Sequence, residues 1–178
     1  MAVHRDRRSI LCALAIFMGL GMTGCVQDRE PVEEPTFYRS MAVPGVEVDA
    51  SAARSMLSAY RQRNGLPALE LDPILMKLAQ DQARDMAAHD KLDHHVTRSF
   101  KERIDGSGYA GNAAAENVGA GYHTLAEAFS GWRDSNSHRA NMLMPGATRM
   151  GIAAAYSPQS KYKVFWALIL ARPEQGRS

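Results

Sequence analysis

The sequence predicts an α+β domain over residues 50–178: a three-layer α-β-α sandwich around a small, mainly antiparallel sheet. Three observations predict it. The apolar run 162–171 (YKVFWALILA) alternates with apolar side chains on both faces, so both faces need cover. A second strand-like run, 149–156 (RMGIAAAY), precedes it across Ser157-Pro158-Gln159-Ser160-Lys161, a hairpin-like turn. Upstream, several segments carry helix start signals and can supply both covering layers.

The elements follow in chain order. Residues 50–64 place Ala53, Met56, Leu57 and Tyr60 on one helical face, with Asp49 or Ser51 as N-cap and Gly65 as stop. Asp72-Pro73 is an N-cap followed by proline at the first helical position. Behind it Ile74, Leu75, Leu78, Ala79, Ala83, Met86 and Ala87 keep the helical period. Ser99 with Glu102, and Thr124 with Glu127, have capping-box spacing. Gly106 closes the first of these helices, and Leu125, Ala128, Phe129 and Trp132 form the apolar side of the second. In the last strand Tyr162, Val164, Trp166, Leu168 and Leu170 point one way, and Phe165, Ala167, Ile169 and Ala171 the other.

Ahead of the domain the composition changes. Residues 1–9 are cationic, with Arg5, Arg7 and Arg8, and residues 10–22 (ILCALAIFMGLGM) are apolar and uncharged. At ~1.5 Å per residue that run is too short to span a ~30 Å hydrocarbon core, and it reads as a secretory signal. Met22-Thr23-Gly24-Cys25 then resembles a bacterial lipobox, in which the thiol is acylated and the chain is cut just before the cysteine. On this reading residues 1–24 are a lipoprotein signal peptide, and Cys25 carries lipid such as palmitate. Residues 25–49 form a flexible linker with Pro31, Pro35 and Pro44 and an excess of acids. The alternative is an ordinary cysteine after a simple signal sequence. Cys12 falls in the leader, so the mature domain has no internal disulfide.

Composition narrows the function classes. An apolar share of 46% and a charged share of 22% exclude a disordered chain and a polytopic membrane protein. The net charge of +2 resides in the leader, so no basic surface argues for nucleic acid.

Four stretches look too polar or glycine-rich for pure scaffold: Lys91-Leu92-Asp93-His94-His95, Ala115-Glu116-Asn117-Val118-Gly119, Trp132 to Asn141, and Gly151-Ile152-Ala153-Ala154. Here the chain resembles the CAP superfamily, named for cysteine-rich secretory proteins, antigen 5 and pathogenesis-related 1, in its bacterial, disulfide-free form. The resemblance covers about residues 52–170. It runs through Leu57, Arg61, Gly65-Leu66-Pro67, Asp72-Pro73, Leu92-Asp93-His94, Arg103-Ile104, Gly108-Tyr109, Glu116-Asn117-Val118, Ser135 to Asn141, and Gly151-Ile152. It implies an α-β-α sandwich with a cleft lined by His94, Glu116 and His138. Three positions depart from the pattern: Ala115 for glycine, Ser58 for asparagine, and Ser135 where animal and plant members often carry a second glutamate.

Each site residue also has an ordinary structural reading. His94 suits a helix end, where a cation meets the dipole. His138 could be a satisfied structural histidine, and a lone acid at Glu116 on a weak strand would usually face solvent. His95 reads as a solvated neighbour of His94. Asn117 and Asn141 read as loop-bonding residues, and Trp132 as core.

Two imidazoles and a carboxylate can ligate Zn or another divalent metal, or do acid–base work. Yet His94, His138 and Glu116 match no compact metal motif, and no Gly-x-Ser-x-Gly elbow is present. His95 and His123 stand next in line as ligands. The expectation is a monomeric, non-enzymatic binding module, held to the membrane through lipid on Cys25, for a small apolar or cell-wall ligand. In a Gram-negative source the outer membrane is expected, since Val26 provides no retention acid. The alternative is a metal-assisted hydrolase using His94, Glu116 and His138.

Overall fold

The computed structural model describes residues 34–174. The leader and Cys25 lie outside the described residues. Five helices and four strands follow one another: α1 (Ala50–Arg63), β1 (Glu70–Leu71), α2 (Pro73–His89), α3 (Phe100–Asp105), β2 (Gly111–Ala120), α4 (Leu125–Asp134), α5 (Asn136–Met142), β3 (Arg149–Tyr156) and β4 (Val164–Pro173).

The caps form as the sequence predicts. Asp49 accepts from Ala52 N, and Asp72 accepts from Ile74 N and Leu75 N. Ser99–Glu102 and Thr124–Glu127 close complete capping boxes. In α2 the inward stripe is Leu75, Leu78, Ala79, Ala83 and Met86, whereas Ile74 in the first turn is exposed.

The strands lie in the order β1-β3-β4-β2. β4 is central and antiparallel to both neighbours, and β1 adds two residues parallel to β3. The alternation of β4 divides the core in two. Val164, Trp166, Leu168 and Leu170 join Leu57, Trp132, Met142 and Met150 on one face. Phe165, Ala167, Ile169 and Ala171 join Leu75, Leu78, Ala79, Ala83 and Met86 on the other. So α1, α4 and α5 cover one face and α2 the other, the three-layer arrangement expected.

Tyr162 corrects the sequence reading. It packs with the Phe165 face rather than the Trp166 face. The strand begins only at Val164, because Lys163 takes a left-handed φ of 64° as the hairpin closes, and this breaks the alternation.

Residues 34–49, read from sequence as part of a flexible linker, lie on the domain. A 3-10 turn at Thr36–Tyr38 sets Thr36 Oγ1 to donate to Asp49 Oδ2 at 2.7 Å. Met41 N donates to His123 O, and the Met41 side chain is buried. Phe37, Val46 and Val48 pack on the Trp132 side. Single spaced apolar anchors hold this segment, and they leave no periodic pattern to read.

Two contacts position the layers. Arg61 is fully buried and donates to four carbonyls: Pro67 O, Met142 O, Met144 O and Ala147 O. It ties α1 to the exit of α5. On the other face Gly151 lies directly under α2, where a Cβ would collide with the Leu75 carbonyl and Met76 N. The helix therefore rests on the strand backbone to backbone.

Candidate functional site

β2 pairs along β4, Glu116 opposite Ile169 and Asn117 opposite Leu168. This register carries Glu116 inward, where it is only 5% exposed. Both of its carboxylate oxygens accept hydrogen bonds. Arg103 Nη2 donates to Oε1 at 2.9 Å and Oε2 at 2.8 Å. His94 Nδ1 meets Oε1 at 2.8 Å. A carboxylate only accepts, so Nδ1 carries the proton and Nε2 is the ring nitrogen left for a ligand. Arg103 Nη2 also reaches His94 O at 3.3 Å.

Each participant has a local reason for its place. In α3, Phe100, Arg103 and Ile104 share one face at i, i+3 and i+4, which carries Arg103 inward with two apolar neighbours. Its guanidinium lies 5.3 Å from the Phe100 ring centroid. α2 ends at Asp90 in a left-handed cap, and Ser160 of the hairpin donates to the Asp90 carboxylate. The loop that follows is held by Gln82 Nε2, which donates to Asp93 O at 2.7 Å. His94 leaves this loop with 42% of its side chain exposed.

His138 arrives on α5. Asn117 Nδ2 donates to His138 O at 3.0 Å, and Asn141 Nδ2 donates to Glu116 O and Asn117 Oδ1. The two asparagines thus staple α5 to β2 through helix and strand carbonyls and through each other, rather than bonding loop backbone. Trp132 is core, and its indole donates to Val118 O.

The two imidazoles are tuned apart. The hydrogen bond to Glu116 raises the pKa of His94 above 6.5, against a smaller opposing effect of burial. Burial lowers the pKa of His138, and the positive charge of nearby His94 lowers it further. These residues therefore present one imidazole inclined to be cationic near one inclined to be neutral.

The donor set does not fit a divalent ion. Both Glu116 oxygens accept from other side chains, and a guanidinium 2.8 Å away opposes a dication. Among the described residues no group of three His, Cys, Asp or Glu side chains is placed to hold a metal ion. His95 and His123 do not join these three residues. His95 is 66% exposed and faces Asp93 at 3.5 Å. His123 sits ahead of α4, where its N donates to Glu127.

The structure thus joins His94 to Glu116 directly and His138 to them through Asn117. Sequence reading missed Arg103 as a partner, although the Phe100-Arg103-Ile104 face was there to be read. It also missed Gln82, a polar residue on the apolar stripe of α2.

Residues 54–170 match the family described as CAP, the cysteine-rich secretory protein family. The chain belongs to the CAP family. Uncharacterized protein YkwD of Bacillus subtilis (strain 168) is 31% identical over 121 residues, which cover 67% of this chain and 47% of that protein. This CAP chain thus spans about half the length of that curated relative. Among solved structures it is similar to an extracellular protein containing a SCP domain from Bacillus anthracis str. Ames. That pair has a TM-score of 0.60 and 22% identity, over 68% of this chain and 39% of the other. It is also similar to an outer surface protein from Borrelia burgdorferi, with a TM-score of 0.63 and 18% identity, over 73% of this chain and 99% of that one. These likenesses show the CAP fold.

Proposed function

We propose that this protein is an extracytoplasmic, lipid-anchored CAP module that binds a cell-envelope molecule through the His94–His138 cleft and does not cleave it. One observation carries the reading: both oxygens of Glu116 accept from Arg103 and His94. A general base must reach the proton it takes, and this carboxylate is buried, with a guanidinium and an imidazole holding its two oxygens. The metal-assisted hydrolase alternative draws no support from this donor set.

The cleft offers instead the Nε2 edge of His94 and the neutral ring of His138. That pair suits a hydroxyl, carbonyl or anionic group on a ligand whose remainder is apolar. The lipobox at Cys25 supports the placement outside the cytoplasm. So do the descriptions of the structural relatives as extracellular and outer surface proteins.

Two experiments test this. Cys25→Ser should move the protein from the membrane fraction to the soluble one; a processed variant that stays membrane-bound overturns the anchor. Ring signals of His94 and His138 should shift in NMR titrations with soluble peptidoglycan fragments or phosphatidylglycerol micelles, with no product formed by mass spectrometry. Turnover that disappears in Glu116→Gln would overturn the binding reading.

A further inference from the structure

A second feature lies across the sheet from the histidine cleft. β1 covers β3 only at Arg149 and Met150. Met150 O accepts from Asp72 N, which sets the parity of the strand: peptide groups of even-numbered residues point away from β4. Beyond β1 those of Ile152, Ala154 and Tyr156 therefore face outward. Among the described residues no backbone group bonds to them there, and Ile152 N meets only the Met76 sulfur at 3.4 Å.

This free edge is the floor of a cavity of about 990 Å³. Val46 and Val48 stand on one side, and Met76, Lys77 and Arg84 of α2 on the other. Exposed edges are normally blunted by proline, an inward charge or a cover. Ile152 to Tyr156 carry no charge and no proline, and the flanking walls leave the edge open at the bottom of a groove.

We propose that the edge of β3 is a strand-addition site for an extended acidic segment of a partner protein. Unpaired peptide groups in a row are met in full only by another peptide backbone. Because the edge is recessed between two walls, a single extended chain can reach it, while the equally recessed edge of a second copy cannot. Lys77 already pairs with Asp81 at 2.7 Å. Arg84 is exposed and belongs to no ion pair among the described residues, so it is available to an incoming carboxylate. Val46 and Val48 favour apolar side chains on the opposite face of that strand, and Glu47 between them, exposed and in no ion pair among the described residues, disfavours acids there, so acidic residues on the Arg84 side alternate with apolar ones.

The test uses the full chain and an acetylated Thr-Val-Glu-Val-Thr-Val-Glu amide as probe. Saturating peptide should slow hydrogen exchange at the Ala154 and Tyr156 amides by about tenfold or more. N-methylating the probe at alternate amides should abolish this in one register and leave it in the other, because only every second peptide group faces the edge. Ala154→Pro removes an outward N–H at an edge, where proline is tolerated, and should abolish binding. Arg84→Glu, on the surface, should weaken the acidic probe and favour one with lysine in place of glutamate. No protection at millimolar peptide, or protection indifferent to both N-methylated registers, overturns the proposal. So does concentration-dependent self-association that protects the same amides and is lost in Ala154→Pro, which would assign the edge to a second copy.

Discussion

Arg61 and Arg103 are both buried guanidiniums, and they are held in opposite ways. Arg61 has no acid beside it. Its three nitrogens donate to four carbonyls, two of them in the exit from α5, and burial alone pulls its pKa down. Arg103 has a carboxylate beside it and uses one nitrogen for everything, while its Nε and Nη1 find no partner among the described residues. A side chain whose donors are all matched fixes geometry. One with donors left over, next to a half-exposed histidine, keeps unspent charge beside the proposed binding site. Unsatisfied buried groups in native proteins call for such an explanation.

The contrast is open to measurement. Arg61→Met should cost the most, about 3–5 kcal/mol in urea unfolding, since several buried carbonyls lose their donors together. No substitution of an acid should recover that loss, because no acid takes part. Glu116→Leu should cost about 3 kcal/mol by leaving Arg103 buried and unpaired, and adding Arg103→Met should recover most of it. If Arg61→Met costs under about 1 kcal/mol, or Glu116→Leu is not rescued, the two arginines are not different in kind.

A smaller effect separates the histidines. His94 has a raised pKa, so its contribution to stability is complete below 6.5 and is lost as pH rises through the folded value. His138 has a lowered pKa, so its contribution is present above 6.5 and is lost as pH falls through the folded value. Stability differences between wild type and His94→Gln, followed from acid to alkaline pH, should therefore slope opposite to those for His138→Gln. The smallest effect is read by NMR alone: in Glu116→Gln the His94 titration should move down, because the interaction that raises it is weakened while burial persists. A His94 midpoint unmoved by Glu116→Gln would detach the histidine from the Arg103 system.

What the sequence made legible follows from which signals are local. Asp72-Pro73, Ser99 with Glu102 and Thr124 with Glu127 are complete within four residues, and all three form. The two-faced pattern of β4 named both cores ahead of the structure, apart from Tyr162. α5 went unread because seven polar-rich residues starting at the shared cap Ser135 hold no helical period. β2 is mostly small residues, so nothing in Ala113-Ala114-Ala115 says which way Glu116 points. The cleft needed more than pattern: Arg103 and Glu116 meet across 13 residues, and His94 and Glu116 across 22. The CAP resemblance supplied His94, Glu116 and His138 as a group, but neither it nor the spacing disclosed that Arg103 bonds the Glu116 carboxylate.

Gly151 has a consequence for how this protein can change over generations. With no side chain at position 151, where β3 meets the first turn of α2, the helix has no spacer there that substitution could trim or lengthen. The same helix supplies Lys77 and Arg84 to one surface and, through Gln82, holds the loop that leads to His94 on another. Any side chain at position 151 would lift α2 and disturb both surfaces at once. The two can diversify only through the residues they do not share, and a lineage that keeps one is bound to keep the seat of the other.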